Sequence, residues 1–179
     1  MRRYLALFIL VLLSGCGINY VKQVSPGDVI GNDRAVIVYG VKVEGLWGYP
    51  QFSISLDEYD AQTGKITGNC LIHTKTLATV DSARRDVQYF AFDVPPGQYV
   101  YSPFNANLLS GGNVAFEAAA GKHVYVGEFV YEKNRAVTLR QNLDQAKAPI
   151  ASLFPGVKGN LSAADTRTVK SPNIFICTP

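Results

Sequence analysis

Helical pattern, histidine and charge are what this chain has least of. Apolar residues recur at helical spacing in one stretch only, which excludes a helical bundle. The 179 residues hold two histidines and three cysteines. There is no CxxC, no paired Cys/His spacing and no HExxH, so no zinc centre is encoded. Gly111-Gly112-Asn113 lacks a following Lys-Ser/Thr and a helix, which removes a phosphate loop. A Gly-x-Ser-x-Gly elbow is also missing. No cofactor is implied. The formal net charge is +3, and without Arg2 and Arg3 fifteen basic residues face fourteen acidic ones. That leaves no basic surplus for nucleic acid. The later pair Arg84-Arg85 is flanked by Asp81 and Asp86 and reads as a solvated turn.

The uncharged run from Tyr4 to Leu13 is short. A membrane-spanning helix needs ~20 apolar residues, and this run has about half that. It has the length of a signal-peptide core, and Arg2-Arg3 supplies the positive start. Leu13-Ser14-Gly15-Cys16 follows. This order resembles the bacterial lipobox, a leucine and two small residues before an obligatory cysteine. The resemblance implies lipid on the Cys16 sulfur, cleavage before Cys16 and acylation of the new amino terminus. Gly17 stands where an aspartate would favour inner-membrane retention, so the implied address is the periplasmic face of the outer membrane. The remaining cysteines, Cys70 and Cys177, are an even pair in an oxidising compartment, and a disulfide between them is expected.

Three regions follow: a signal peptide over 1–15, a tether over 16–33 and a folded domain over 34–179. The tether is polar and turn-rich, with Val24, Val29 and Ile30 expected along an edge of the fold. Strands are predicted over Arg34–Trp47 and Gln51–Tyr59, with one or two more over Ile66–Val80. Further strands are predicted over Val87–Val94, Tyr99–Tyr101, Val114–Ala118, His123–Tyr131 and Arg135–Arg140. A last one is expected over Asn173–Cys177. Ile37, Tyr39, Val41, Phe52, Ile54, Phe90, Phe92, Val124, Val126 and Val130 are expected in the core. Asn142 caps a helical segment from Leu143 to Phe154, which Pro149 should split into two short turns. Val157–Val169 reads as loop. The sum is an all-β chain: an antiparallel β-sandwich of seven to nine strands with one short C-terminal helical segment.

Val94-Pro95-Pro96-Gly97-Gln98-Tyr99, then Phe116, then Gly121-Lys122-His123-Val124-Tyr125-Val126-Gly127-Glu128-Phe129, resembles a group of bacterial lipoprotein domains of unknown function. Phe154-Pro155-Gly156 matches their tail. Pro-Gly-x-Tyr also recurs in prealbumin-like sandwiches. The resemblance implies a sandwich in the cell envelope and carries no catalytic residues.

Candidate chemistry is sparse. His73 and His123 read best as strand histidines with solvent-facing or locally bonded rings, although a dispersed Ser-His-Asp site needs no sequence motif. Asp57, Glu58 and Asp60 lack the spacing of a calcium loop and read as a solvated strand end. Tyr99, Tyr101, Tyr125, Phe129 and Tyr131 are aromatic enough to line a groove but read first as core and cross-strand pairs. The preferred function is a non-enzymatic, lipid-anchored envelope protein that binds a partner or supports the envelope. An accessory docking lipoprotein of a secretion or assembly machine is the second reading, and a hydrolase with a dispersed site the third.

Overall fold

The computed structural model describes residues 18–69 and 71–174. Among the described residues twelve strands lie in two sheets, with one α-helix toward the C-terminus. Eight strands have four or more residues: β2 (Ala35–Val43), β3 (Gln51–Asp60), β5 (Lys75–Asp81), β6 (Gln88–Val94), β7 (Gly97–Tyr101), β8 (Asn113–Ala118), β9 (His123–Tyr131) and β10 (Val137–Arg140). Four are shorter: β1 (Lys22–Gln23), β4 (Lys65–Ile66), β11 (Leu161–Ala163) and β12 (Arg167–Val169).

Sheet I runs β1-β6-β2-β9-β10, and β11 covers the other half of the β9 edge. Sheet II runs β12-β8-β7-β3, and β5 and β4 share the far edge of β3. Most pairs are antiparallel, but β9 is parallel to both β2 and β11. The sandwich is closed by alternating side chains. Ile37, Tyr39 and Val41 of sheet I meet Phe52, Ile54 and Leu56 of sheet II in one buried cluster. Phe92, Val124 and Val126 join them, Val130 is buried too, and Phe90 packs at the margin.

The Pro-Pro-Gly step carries the chain from β6 in sheet I to β7 in sheet II. Two residues without an N–H cannot extend the β6 ladder. Tyr99 then donates its hydroxyl back to the Pro95 carbonyl at 2.9 Å, which fixes the corner. Gly127 sits at φ +135° beside a register shift between β2 and β9. A Cβ there would stand 2.6 Å from Leu139 Cδ1 and 2.8 Å from the Arg140 carbonyl oxygen. The bulge and the close approach of β10 both need glycine.

Three expectations need correction. The helix α1 (Leu143–Leu153) is one piece and runs through Pro149. Asn142 accepts from the Gln145 N–H, and Ala146 and Ile150 are buried against sheet I. Gln145 and Pro149 both face solvent, so water can take the carbonyl that proline leaves unbonded. Packing of the buried stripe holds the turn together. Second, Val157–Val169 is not simply loop. A 3-10 turn over Pro155–Asn160 leads to β11 on sheet I and β12 on sheet II. Three-residue strands carry too little alternation to be read. Third, part of the expected tether is folded: β1 pairs with β6, and Val24 is buried beneath α1's cluster while Val29 is exposed. Of the last expected strand, Asn173 forms a bridge with Lys65, and 175–179 lie outside the described residues.

Candidate functional site

Two places collect chemistry. One is a closed polar cluster on the outer face of sheet II. In β3 the inward positions Phe52, Ile54 and Leu56 alternate with Ser53, Ser55 and Asp57. Asp57 should therefore face water, yet it is fully buried, a correction to the solvated reading. Two connections cover it, residues 67–74 between β4 and β5 and residues 102–112 between β7 and β8. From the second, Ser102 donates to Asp57 Oδ2 at 2.6 Å. From the first, His73 Nε2 lies 3.3 Å from Asp57 Oδ1. Phe104 meets the His73 ring edge-on at 5.9 Å. Asn105 bonds the Ser55 backbone in both directions, at 2.8 and 3.0 Å. His73 is thus not a strand residue; it is a clasp on a buried carboxylate.

Serine, histidine and aspartate are together, but in the wrong order for hydrolysis. A catalytic imidazole stands between the serine and the carboxylate and takes the hydroxyl proton. Here the carboxylate stands between the other two, and Ser102 gives its proton to it. Ser102 is also 1% exposed, so no substrate carbonyl reaches its oxygen. Ser55 commits its hydroxyl proton to the Thr76 carbonyl at 2.8 Å. The cluster fastens two loops to a strand.

His123 is separate. It opens β9, is buried, and its Nδ1 lies 3.1 Å from the Val157 carbonyl oxygen. It is locally bonded, as expected, and holds the 3-10 turn to sheet I. Asp60 turns the β3–β4 hairpin by accepting from Gln62 and Thr63. Those bonds, led by the Thr63 hydroxyl, hold its carboxyl below the usual range. Among the described residues no group of three His, Cys, Asp or Glu side chains is arranged to hold a metal ion. Cys16, Cys70 and Cys177 lie outside the described residues.

The second place is an open cleft at the far end of β3. Its volume is about 460 Å³, and Leu46, Trp47, Tyr49, Asn107, Tyr131 and Arg135 line it. Trp47 donates its indole N–H to the Gln51 carbonyl at 2.7 Å. Its ring packs edge-on against Phe52, Tyr131 and Tyr49 at 5.1, 5.2 and 5.7 Å. The indole is therefore rigid, while Tyr49 is 70% exposed. Across the cleft, Asn107 donates to the Arg135 carbonyl at 3.2 Å. Asn107 Oδ1 is buried and has no hydrogen-bond partner among the described residues. An acceptor left unmatched in this way calls for a water or a ligand. Arg135 sits at φ 67° on an exposed turn and contributes to the cleft lining.

A larger cleft of about 640 Å³ runs beside α1, lined by Ala148, Ile150, Ala151, Leu161, Lys147 and Ser152. It is mostly aliphatic and gathers no converging polar groups.

The aromatic residues singled out in the sequence behave as core: Tyr99, Tyr101, Tyr125, Phe129 and Tyr131 are all buried. Only Tyr131 also reaches the cleft. Trp47 and Tyr49 escaped notice as site residues. The signal was present in the only tryptophan of the chain, set at a strand end beside the turn Gly48-Tyr49-Pro50. No family model, curated protein or solved structure matches this chain.

Proposed function

We propose that this protein is a lipid-anchored, non-enzymatic binding lipoprotein on the periplasmic face of the outer membrane. Its ligand is a saccharide chain of the envelope. The observation that carries the reading is the cleft of Trp47 and Tyr49, open to solvent and lined also by Arg135. A sugar ring offers an apolar C–H face to stack on an indole and hydroxyls for a guanidinium. Rigid aromatic walls with few polar groups are the usual make-up of a small-molecule site. The closed Ser102–Asp57–His73 order weighs against the hydrolase reading.

The anchor in this reading is Cys16, by its lipobox resemblance, and the like pattern of Pro-Gly-x-Tyr lipoproteins points the same way. Among the described residues no helix is long and apolar enough to cross a membrane. A Cys70–Cys177 disulfide completes the picture. Its support is the even pair of cysteines in an oxidising compartment, together with the parallel bridge that sets Asn173 beside Lys65. Mass spectrometry of non-reduced peptides tests the bridge. Sedimentation with purified peptidoglycan tests the ligand. The intact protein should pellet with it, and soluble glycan strands should release it. Release by stem peptides alone would replace the saccharide with a peptide ligand.

A further inference from the structure

The first described residue is already tied into the fold. Ile18 donates its N–H to the Leu71 carbonyl at 2.6 Å and accepts from the His73 N–H at 3.0 Å. It forms a parallel bridge with Ile72. Asn19 continues the tie, donating to the Lys75 carbonyl at 2.8 Å and accepting its N–H at 3.2 Å. Only Gly17 separates Ile18 from Cys16. Consecutive Cα atoms are 3.8 Å apart, so the Cα of residue 16 lies within about 8 Å of the Cα of Ile18. A lipid on Cys16 leaves no slack tether between bilayer and domain.

The surface at that point is apolar. Leu71 is 64% exposed and Ile18 is 50% exposed. Phe104, half exposed, meets His73 of the same loop. Several described peptide groups of the loop are paired. Asn69 Oδ1 accepts from the Leu71 and Ile72 N–H groups at 2.8 and 3.0 Å, and the Asn69 N–H donates to the Ile72 carbonyl at 2.7 Å. The Leu71 and Ile18 carbonyls are taken by the contacts above. A loop with its peptide groups paired can enter the edge of a bilayer without the cost of bare N–H and C=O groups.

We infer that the corner formed by Ile18, Leu71 and Phe104 rests in the interfacial layer of the bilayer that carries the anchor. The inference rests on the Cys16 lipid reading. Its depth follows from apolar side chains and needs no anionic lipid, since Ile18, Asn69, Leu71 and Ile72 carry no charge. Ile18 and Leu71 lie toward the strand end away from the cleft, while Phe104 is on the same loop as the cleft-lining Asn107. The Thr74 carbonyl, in the loop of Leu71, accepts from the Glu58 N–H, while Trp47 binds the Gln51 carbonyl. Seven residues of β3 separate those points, about 24 Å at the rise of a strand.

The test uses the full-length lipidated protein in vesicles of neutral phospholipid with brominated acyl chains. Trp47 is the only native tryptophan, so Trp47→Phe combined with Leu71→Trp, or with Phe104→Trp, places one reporter at the corner. Both sites are half exposed or more, and a melting temperature close to that of Trp47→Phe confirms folding. The corner reporters should lose about half their emission, since an interfacial side chain reaches ~5–10 Å into the bilayer. Native Trp47 should keep its emission. Unquenched reporters on protein with lipid at Cys16 would overturn the proposal. So would equal quenching of Trp47, or a reporter shielded in neutral detergent by a second protein copy. Cys16 without lipid, shown by mass spectrometry, would overturn the anchor reading and this proposal with it.

Discussion

The two ends of β3 carry opposite uses of polar and aromatic groups. At Asp57 a carboxyl group is sealed under two loops, with Ser102 bonded to one oxygen and His73 set 3.3 Å from the other. At Trp47 the aromatic ring is fixed by the core behind it, while Tyr49, Arg135 and Asn107 are left around an open cleft. One end spends its chemistry on holding the chain, and the other leaves it available. Chemical richness therefore does not mark the site here. The cluster with a serine, a histidine and an aspartate fastens loops to a strand, and the proposed binding falls to residues with less conspicuous chemistry.

The comparison breaks most sharply at Asp57. Asp57→Ala leaves Ser102 and His73 facing a void where a buried carboxylate stood. It should lower stability by about 4 kcal/mol in urea unfolding, the scale for stripping one partner from a buried charged network. The surviving folded protein should bind glycan as before. A smaller loss is expected at Gly127, whose φ of +135° and contact with the Arg140 carbonyl forbid a side chain. Gly127→Ala should cost about 2 kcal/mol by thermal unfolding. At the open end the pattern inverts. Tyr49→Ala should shift stability by less than about 0.5 kcal/mol, as exposed positions do. It should still weaken glycan binding about tenfold in calorimetry, by removing one stacking wall.

The smallest effect is acid sensitivity beside the cleft. Glu44 accepts from Lys42 at 2.8 Å and from Arg140 at 3.2 Å. Those hydrogen bonds, Lys42's first, hold its carboxyl down to about 2. A carboxyl held low when folded stabilises above its ordinary value of 4.5, and that contribution is lost as pH falls toward 2. Glu44→Gln should lower the melting temperature slightly near neutrality, meet the native value near pH 2, and so flatten the dependence on pH across this window. An acid limb as steep as the native one would place the titrating groups elsewhere.

The sandwich was legible because its long strands alternate. His123–Tyr131 was read residue for residue, and the Pro95–Tyr99 corner announced itself through two prolines and a glycine. The unread parts share a cause. β11 and β12 are three residues each, and their pairing partners lie 38 positions away in β9 and 52 to 56 away in β8. Local pattern holds no record of such pairing. Pro149 misled for the opposite reason, since a strong local rule lost to the burial of Ala146 and Ile150. Asp57 was placed correctly on the outward face of β3, but no periodicity tells that two loops will fold over that face. Trp47 was visible throughout, and only its neighbours across the cleft, Asn107 and Arg135, required three dimensions.

The central claim is that the cleft binds and the cluster does not take part. Trp47 reports on it directly, being the only tryptophan. Its emission should be followed during titration with soluble glycan strands, in native protein, Tyr49→Ala and Asp57→Asn. The account predicts a saturable change in native protein, the same midpoint in folded Asp57→Asn, and a midpoint about tenfold higher in Tyr49→Ala. A native emission unmoved by glycan that the protein demonstrably retains would contradict it, and would move the site away from the Trp47 end.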